Sequence, residues 1–225
     1  MKISMVTGVW KRPEIFEMFA KGVHALNMDI DVIVAGSEGE VSRKMVEAHG
    51  FHYIEIPNQP LAKKMNATTL YAKELDCDYV ICMGSDDIMS PELMQHYITA
   101  MHNGYDFIGI IDLYFYDTVS NKAAYWGGYR ESYRRYVTAG PCRAISKKLM
   151  NQWGWKPWMV GDDDFLDSSM ERKPKGRQKI FNLKMLGCYA LDIKSSTNMT
   201  PFELWDNTEF IDSNIIKTNF PYLFD

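Results

Sequence analysis

Tyr79-Val80-Ile81-Cys82-Met83-Gly84-Ser85-Asp86-Asp87-Ile88-Met89-Ser90-Pro91 is the stretch on which the reading of this chain turns. Tyr79 to Met83 is a short apolar run with β-branched and aromatic members, which predicts a buried strand. It runs into two adjacent aspartates and then a Ser-Pro pair that opens a helix, with Ser90 as N-cap and Pro91 as first helical residue. Two carboxylates at the rim of a core are expensive to bury unless something offsets their charge. A hard divalent cation held by oxygen ligands is one such partner, and a phosphate-bearing substrate often travels with it. The plainer alternative is that Asp86 and Asp87 only help to cap the helix that follows.

Upstream of this stretch the pattern alternates. Ile3 to Val6 predicts a strand, followed by a helix from Pro13 to Leu26 with Ile15, Phe16, Phe19 and Val23 at helical spacing. Strands at 30–35 and 53–56 and helices at 41–49 and 62–75 continue the series. Beyond it come a helix at 91–103 and a strand at 107–111. Strand and helix alternating at this spacing predict a mostly parallel sheet with right-handed crossovers, an α/β fold. Ligands of such sheets bind outside the carboxyl ends of the strands, where Gly8, Ser37 and Asp86 all fall. There is no G-x-G-x-x-G after the first strand and no G-x-x-x-x-G-K-[ST], which disfavours a dinucleotide fold or a P-loop.

The second half differs. Leu113 to Tyr136 is dense in Tyr, Trp and Gly and suits antiparallel strands or a loop over the cleft. A strand from Cys142 to Ile145 and a helix from Ser146 follow. Trp153 to Trp158 is an irregular aromatic segment, and Met185 to Ile193 predicts a late strand. No linker separates the halves, so one domain over 1–225 is expected, with about 1–112 as one half and about 113–225 as the other, sharing a sheet.

Composition sets bounds. The 225 residues suit one large domain, and a net charge of −4 gives no global footprint for nucleic acid or anionic membrane. Four scattered cysteines without a C-x-x-C pair read as buried thiols. With no signal sequence and no apolar run near the roughly 18–20 residues that span a bilayer, no transmembrane segment and a soluble, cytoplasmic protein are expected. The five histidines lack metal-ligand spacing such as H-E-x-x-H, and no serine sits in a G-x-S-x-G elbow.

Asp162-Asp163-Asp164 forms a second acidic cluster, read either as charges at the start of a helix near Phe165 or as a general base for a hydroxyl nucleophile. Lys64 and Asn66 open the helix before the Asp86 strand, and Arg12 follows the first strand. Each is a solvated side chain or a group near a phosphate, for which Arg is suited by its bidentate geometry. Arg172 to Lys184 holds six basic residues and no acid, a solvated loop or a face for a polyanion such as DNA.

In order along the chain, Thr7 with Arg12-Pro13-Glu14, Lys64-Met65-Asn66, Met83 to Pro91, Gly140 to Ser146 and Gly161 to Asp164 resemble the motifs of GT-A-fold glycosyltransferases of the family-2 type. The resemblance spans about residues 3 to 200. It implies a Rossmann-like domain with a smaller mixed, antiparallel C-terminal part, and transfer of a hexose or pentose from a nucleotide-diphosphate sugar to a hydroxyl acceptor with inversion. It further implies a Mn²⁺ or Mg²⁺ cofactor on Asp86, with Asp87 beside it, and Asp163 as catalytic base with Asp162 before it. Thr7, Gly8, Arg12, Ser37, Lys64, Asn66, Ser85 and Asp87 fall at donor positions, and Lys194, Ser195 and Asn198 in a late loop over the diphosphate. Gly84 stands where the family's D-x-D begins with Asp, and Ser37-Glu38 where an Asp contacts the base. The expected acceptor is a glycan or surface polysaccharide, or a hydroxylated base in DNA. The alternatives are a nucleotidyltransferase making a nucleotide sugar and a non-catalytic glycan-binding module.

Overall fold

The computed structural model describes residues 1–131, 133–134, 136–160, 166–196 and 207–224. The N-terminal series is β1 (Ile3–Gly8), α1 (Pro13–Ala25), β2 (Asp31–Gly36), α2 (Glu40–Glu47), β3 (His52–Glu55), α3 (Leu61–Glu74) and β4 (Tyr79–Cys82). Next come β5 (Asp87–Met89), α4 (Pro91–His102), β6 (Phe107–Ile110), and the hairpin of β7 (Leu113–Asp117) and β8 (Lys122–Trp126). The rest is β9 (Arg143–Ser146), α5 (Lys147–Gln152), α6 (Leu166–Glu171), β10 (Gln178–Phe181), α7 (Leu183–Leu186), β11 (Ala190–Lys194), β12 (Thr208–Ile211) and α8 (Ser213–Asn219).

Two sheets organise these elements. The larger has the order β10-β6-β9-β4-β1-β2-β3, parallel except where β9 runs antiparallel between β4 and β6. Strands of the second half thus complete the sheet begun by the first, as expected for one α/β fold. The smaller sheet, β12-β8-β7-β11-β5, is mixed. Ser90 caps α4, its hydroxyl accepting from Leu93 N at 3.3 Å, so the aspartates are not needed as caps.

Three elements differ from the sequence reading, one of them β10, a strand paired with β6 inside the basic run Arg172 to Lys184 that reads as a loop. Asp87-Ile88-Met89 is a strand of its own, three residues that leave the large sheet and pair antiparallel with β11. The predicted strand at 185–193 begins instead with the short helix α7, stopped by Gly187 at φ +67, and only Ala190–Lys194 is extended. Apolar periodicity alone does not separate a four-residue helix from a strand; the Leu186-Gly187 pair is the stop signal.

α1 explains how β5 is held. Pro13 at its first turn fixes the start, and Ile15, Phe16, Phe19 and Ala20 are buried. Each large side chain of that face contributes about 1.5–3 kcal/mol. Gly22 completes the face because a Cβ there would lie 2.6 Å from Ile88 Cγ2, on the strand next to Asp87. Ile88 is β-branched and cannot swing aside easily. Gly22→Ala gains about 1 kcal/mol of helix propensity, but overpacking at this contact costs about 1–3 kcal/mol. The expected result is a lower urea midpoint; an unchanged or higher one contradicts this packing.

Candidate active site

The chain winds from β1 toward β3 on one side and returns to β4 on the other, so the switch in strand order lies between β1 and β4. Open α/β sheets bind ligands at such a point. A cleft of about 570 Å³ opens there. Gly8 and Arg12 reach it from the exit of β1, Lys64 from α3, Ser85, Asp86 and Asp87 from the exit of β4, and Asp192 and Lys194 from β11. Trp126, Tyr129, Trp158 and Met170 supply an apolar wall.

The polar end is built at the corner between the sheets. Arg12 Nη1 lies 2.8 Å from Asp86 Oδ2, and its Nη2 donates to Ser85 Oγ at 3.0 Å and lies 3.4 Å from Asp86 Oδ1. The pair is 17% exposed on each side, so it is shielded more than a surface ion pair. Arg12 is delivered there by Lys11, which adopts φ +52 and donates its N–H to Glu38 at 2.8 Å. A left-handed non-glycine residue costs roughly 1–2 kcal/mol, a cost the turn accepts to aim the arginine.

Asp87 faces inward and accepts the Gly84 N–H at 2.6 Å. Burial, with Asp86 and Asp192 adding repulsion, pushes its carboxyl well above the ordinary range. Asp192 stands opposite Asp87 in the β5–β11 register and contacts Lys194 Nζ at 2.7 Å. Its carboxyl is pushed up to about 6, burial outweighing the ammonium.

Lys64 is 1% exposed, and its Nζ donates to Val9 O (2.7 Å), Ser37 Oγ (2.8 Å) and Asn58 Oδ1 (3.1 Å). It ties the exits of β1 and β2 to the turn before α3, and burial lowers its ammonium to about 8. Ser37 passes its own hydrogen to Ile56 O at 2.7 Å. Asn66 pairs on both sides with the Trp158 backbone, donating at 2.7 Å and accepting at 3.1 Å. Thr7 is buried in β1 with its hydroxyl unpartnered. Thr7, Ser37, Asn66 and Ser195 do not line the cleft, whereas Gly8, Arg12, Lys64, Ser85, Asp86, Asp87 and Lys194 do. Asp162, Asp163, Asp164 and Asn198 lie outside the described residues.

Trp126 and Tyr129 come from the stretch whose aromatics suit strands or a loop over the cleft, and Arg143 from the Gly140–Ser146 motif, whereas Asp192 lines the cleft without having been singled out. Asp192 had a signal, as the one charge inside the run Ala190-Leu191-Asp192-Ile193. Arg143 is buried beside Cys82 and bonds Thr138 Oγ1 at 3.0 Å and Thr138 O at 2.8 Å.

Among the described residues no group of three His, Cys, Asp or Glu is placed to hold a metal. The donors implied for Mn²⁺ or Mg²⁺ fit poorly. Asp86 already carries the Arg12 guanidinium, Asp87 is turned to the Gly84 N–H, and Asp192 holds Lys194 through Oδ2, leaving its buried Oδ1 as one unpartnered oxygen, too few for an ion by itself. A third carboxylate at position 84 would have to push the other two aside, since a Cβ there would meet Asp87 Oδ2 at 2.5 Å and Asp86 Oδ1 at 2.6 Å. A cation on Asp86 would displace Arg12 and then face it; a unit charge about 4 Å away opposes each charge of the ion by about 4 kcal/mol at an effective dielectric of 20.

No protein-family model matches the chain, and no curated protein does. Solved structures do. A crystal structure of Staphylococcus aureus TarS 1-349 superposes with a TM-score of 0.62 at 12% identity, covering 86% of this chain and 60% of that one. The chain has a GT-A-type fold. The same TarS fragment in complex with UDP gives 0.55 at 14% identity over 87% and 61%. A 4-diphosphocytidyl-2C-methyl-D-erythritol synthase from Anaerococcus prevotii gives 0.51 at 14% over 80% and 88%. This GT-A-type chain spans about 60% of the length of the TarS fragment.

The Lys64 contacts predict stability. Lys64→Met leaves three acceptors without their donor and is expected to cost about 2–4 kcal/mol of unfolding free energy at neutral pH. Lys64 titrates near 8 folded and 10.5 unfolded, so between these values the unfolded chain holds more protons and raising the pH favours folding. The variant's deficit should therefore widen from pH 8 to 10 in urea titrations. A deficit that stays constant or narrows contradicts the assignment.

Proposed function

We propose that this chain transfers a sugar from a nucleotide-diphosphate donor to a hydroxyl acceptor. The observation that carries the reading is the two-ended cleft at the β1–β4 switch. One end gathers Arg12, Lys64, Ser85 and Lys194, suited to a diphosphate, and the other is a wall of Trp126, Tyr129 and Trp158, suited to sugar rings. The UDP held by a TarS structure of the same fold supports a nucleoside diphosphate as leaving group.

In this reading Arg12 and Lys194 hold the departing diphosphate, placed so that the charge developing on it meets fixed donors. Asp163, preceded by Asp162, takes the proton from the acceptor hydroxyl as that oxygen attacks the anomeric carbon from the face opposite the diphosphate. One displacement of this kind inverts the anomeric centre.

The acceptor that suits an aromatic wall is a glycan. The basic run from Arg172 to Lys184 does not line the cleft: Lys175, Arg177 and Lys179 lie over the rings of Phe107, Tyr105 and Phe181 along the far sheet edge. That placement supports a carbohydrate acceptor over DNA. The second reading is nucleotidyl transfer, which the likeness to the Anaerococcus synthase brings in. The two differ in product, a free nucleoside diphosphate against pyrophosphate.

The test is a panel of nucleotide sugars with glycan acceptors, scored for both products. Release of nucleoside diphosphate is expected, with Asp163→Asn lowering kcat about 10²–10⁴-fold while UDP affinity is kept. Pyrophosphate release from a nucleoside triphosphate and a sugar phosphate, or an Asp163→Asn enzyme at full rate, contradicts the proposal.

A further inference from the structure

We infer that the cleft takes up its nucleoside diphosphate without a divalent cation, Arg12 standing beside Asp86 where such an ion would stand. The inference rests on the donor assignment above and concerns how the diphosphate charge is met.

Three observations carry it. First, Arg12 spans both Asp86 oxygens and Ser85 Oγ, and the guanidinium lines the cleft. Its planar fork has five N–H donors, matched to phosphate oxygens in a way one carboxylate does not exhaust. Second, a further carboxylate at position 84 would have to push aside side chains that are themselves held by the Gly84 N–H and by Arg12. Third, the charges of the described cleft residues do not sum to an acidic site. Arg12, Lys64, Arg143 and Lys194 are four cations against Asp86, Asp87 and Asp192. Even with every one of these carboxylates ionised, the described walls keep one positive charge in excess.

A site that needs an ion leaves its carboxylates open to the cleft. Here Asp86 is engaged by Arg12 through both oxygens and Asp87 by a backbone N–H, while Asp192 is engaged by Lys194 through Oδ2 and keeps a buried, unpartnered Oδ1. Removing Arg12 would uncover the Asp86 carboxylate beside the diphosphate and leave it open to a cation. The arginine is thus the residue on which the cation requirement turns.

The experiment is calorimetric titration of the full-length protein with UDP, then with CDP, GDP, ADP and dTDP, in EDTA and in Mn²⁺. For the wild type, EDTA is expected to leave the Kd of the preferred nucleotide unchanged. Arg12→Ala should bind it on the order of 10- to 100-fold more weakly in EDTA and regain affinity on adding Mn²⁺, while Arg12→Lys stays insensitive to the metal. Loss of wild-type binding in EDTA with recovery in Mn²⁺ overturns the inference and leaves the donor assignment standing. Failure of every nucleoside diphosphate to bind the wild type, with and without Mn²⁺, overturns the donor assignment and the inference with it. The wild-type arms decide even if Arg12→Ala does not fold.

Discussion

A carboxylate taken out of water has to be given a partner or a proton. The corner from Gly84 to Asp87 is where this fold meets that requirement, and both sheets are arranged around it. β4 ends in the large sheet, the chain turns through Gly84-Ser85-Asp86, and β5 enters the small sheet opposite β11. The turn is closed by the Asp87 carboxylate on the Gly84 N–H, and the Asp86 carbonyl accepts from Ile193 N at 2.8 Å. α1 presses on the same strand through Gly22 and Ile88. The two sheets therefore meet at a point that is also the polar end of the cleft, and the packing that joins them sets the spacing of the charges.

The partners come from far along the chain. Arg12 lies 74 residues before Asp86, Lys64 reaches 55 residues back to Val9, and Asn66 holds Trp158 across 92. Lys64 shows how folding and the charge of the cleft share one group. Its three hydrogen bonds lock the loops at the polar end of the cleft, while its buried charge adds to the positive field there. A side chain used in both ways is expected to tolerate little change, since arginine would not fit its three-way contact and methionine would leave acceptors bare.

Much of this was legible in the sequence. The apolar runs at Ile3, Val32 and Tyr79 and the Ser90-Pro91 start gave the α/β series, because burial on both faces leaves an unmixed hydrophobic signal. The ordered motifs placed Arg12, Lys64, Asp86 and Lys194 in one cleft. What stayed hidden has physical reasons. β5 is three residues long, too short to show a period, and its two neighbouring aspartates read as a loop. The β7–β8 hairpin placed Trp126 and Tyr129 in the wall through its register with β11, which no local pattern reports. The pairing of Arg12 with Asp86 is a tertiary contact, so the sequence offered the carboxylate as a cation ligand without showing the cation already beside it.

The account stands on a nucleoside diphosphate lying across the β1–β4 switch with its phosphates between Arg12 and Lys194. A crystal structure of the protein grown with UDP, or with the nucleoside diphosphate it prefers, tests this directly. Diphosphate oxygens are expected within hydrogen-bonding distance of Arg12 and Lys194, with the departing phosphate toward Trp126 and Trp158. A nucleotide bound elsewhere, or one in this cleft whose phosphates point away from Arg12 while Asp86 keeps the guanidinium, would contradict it.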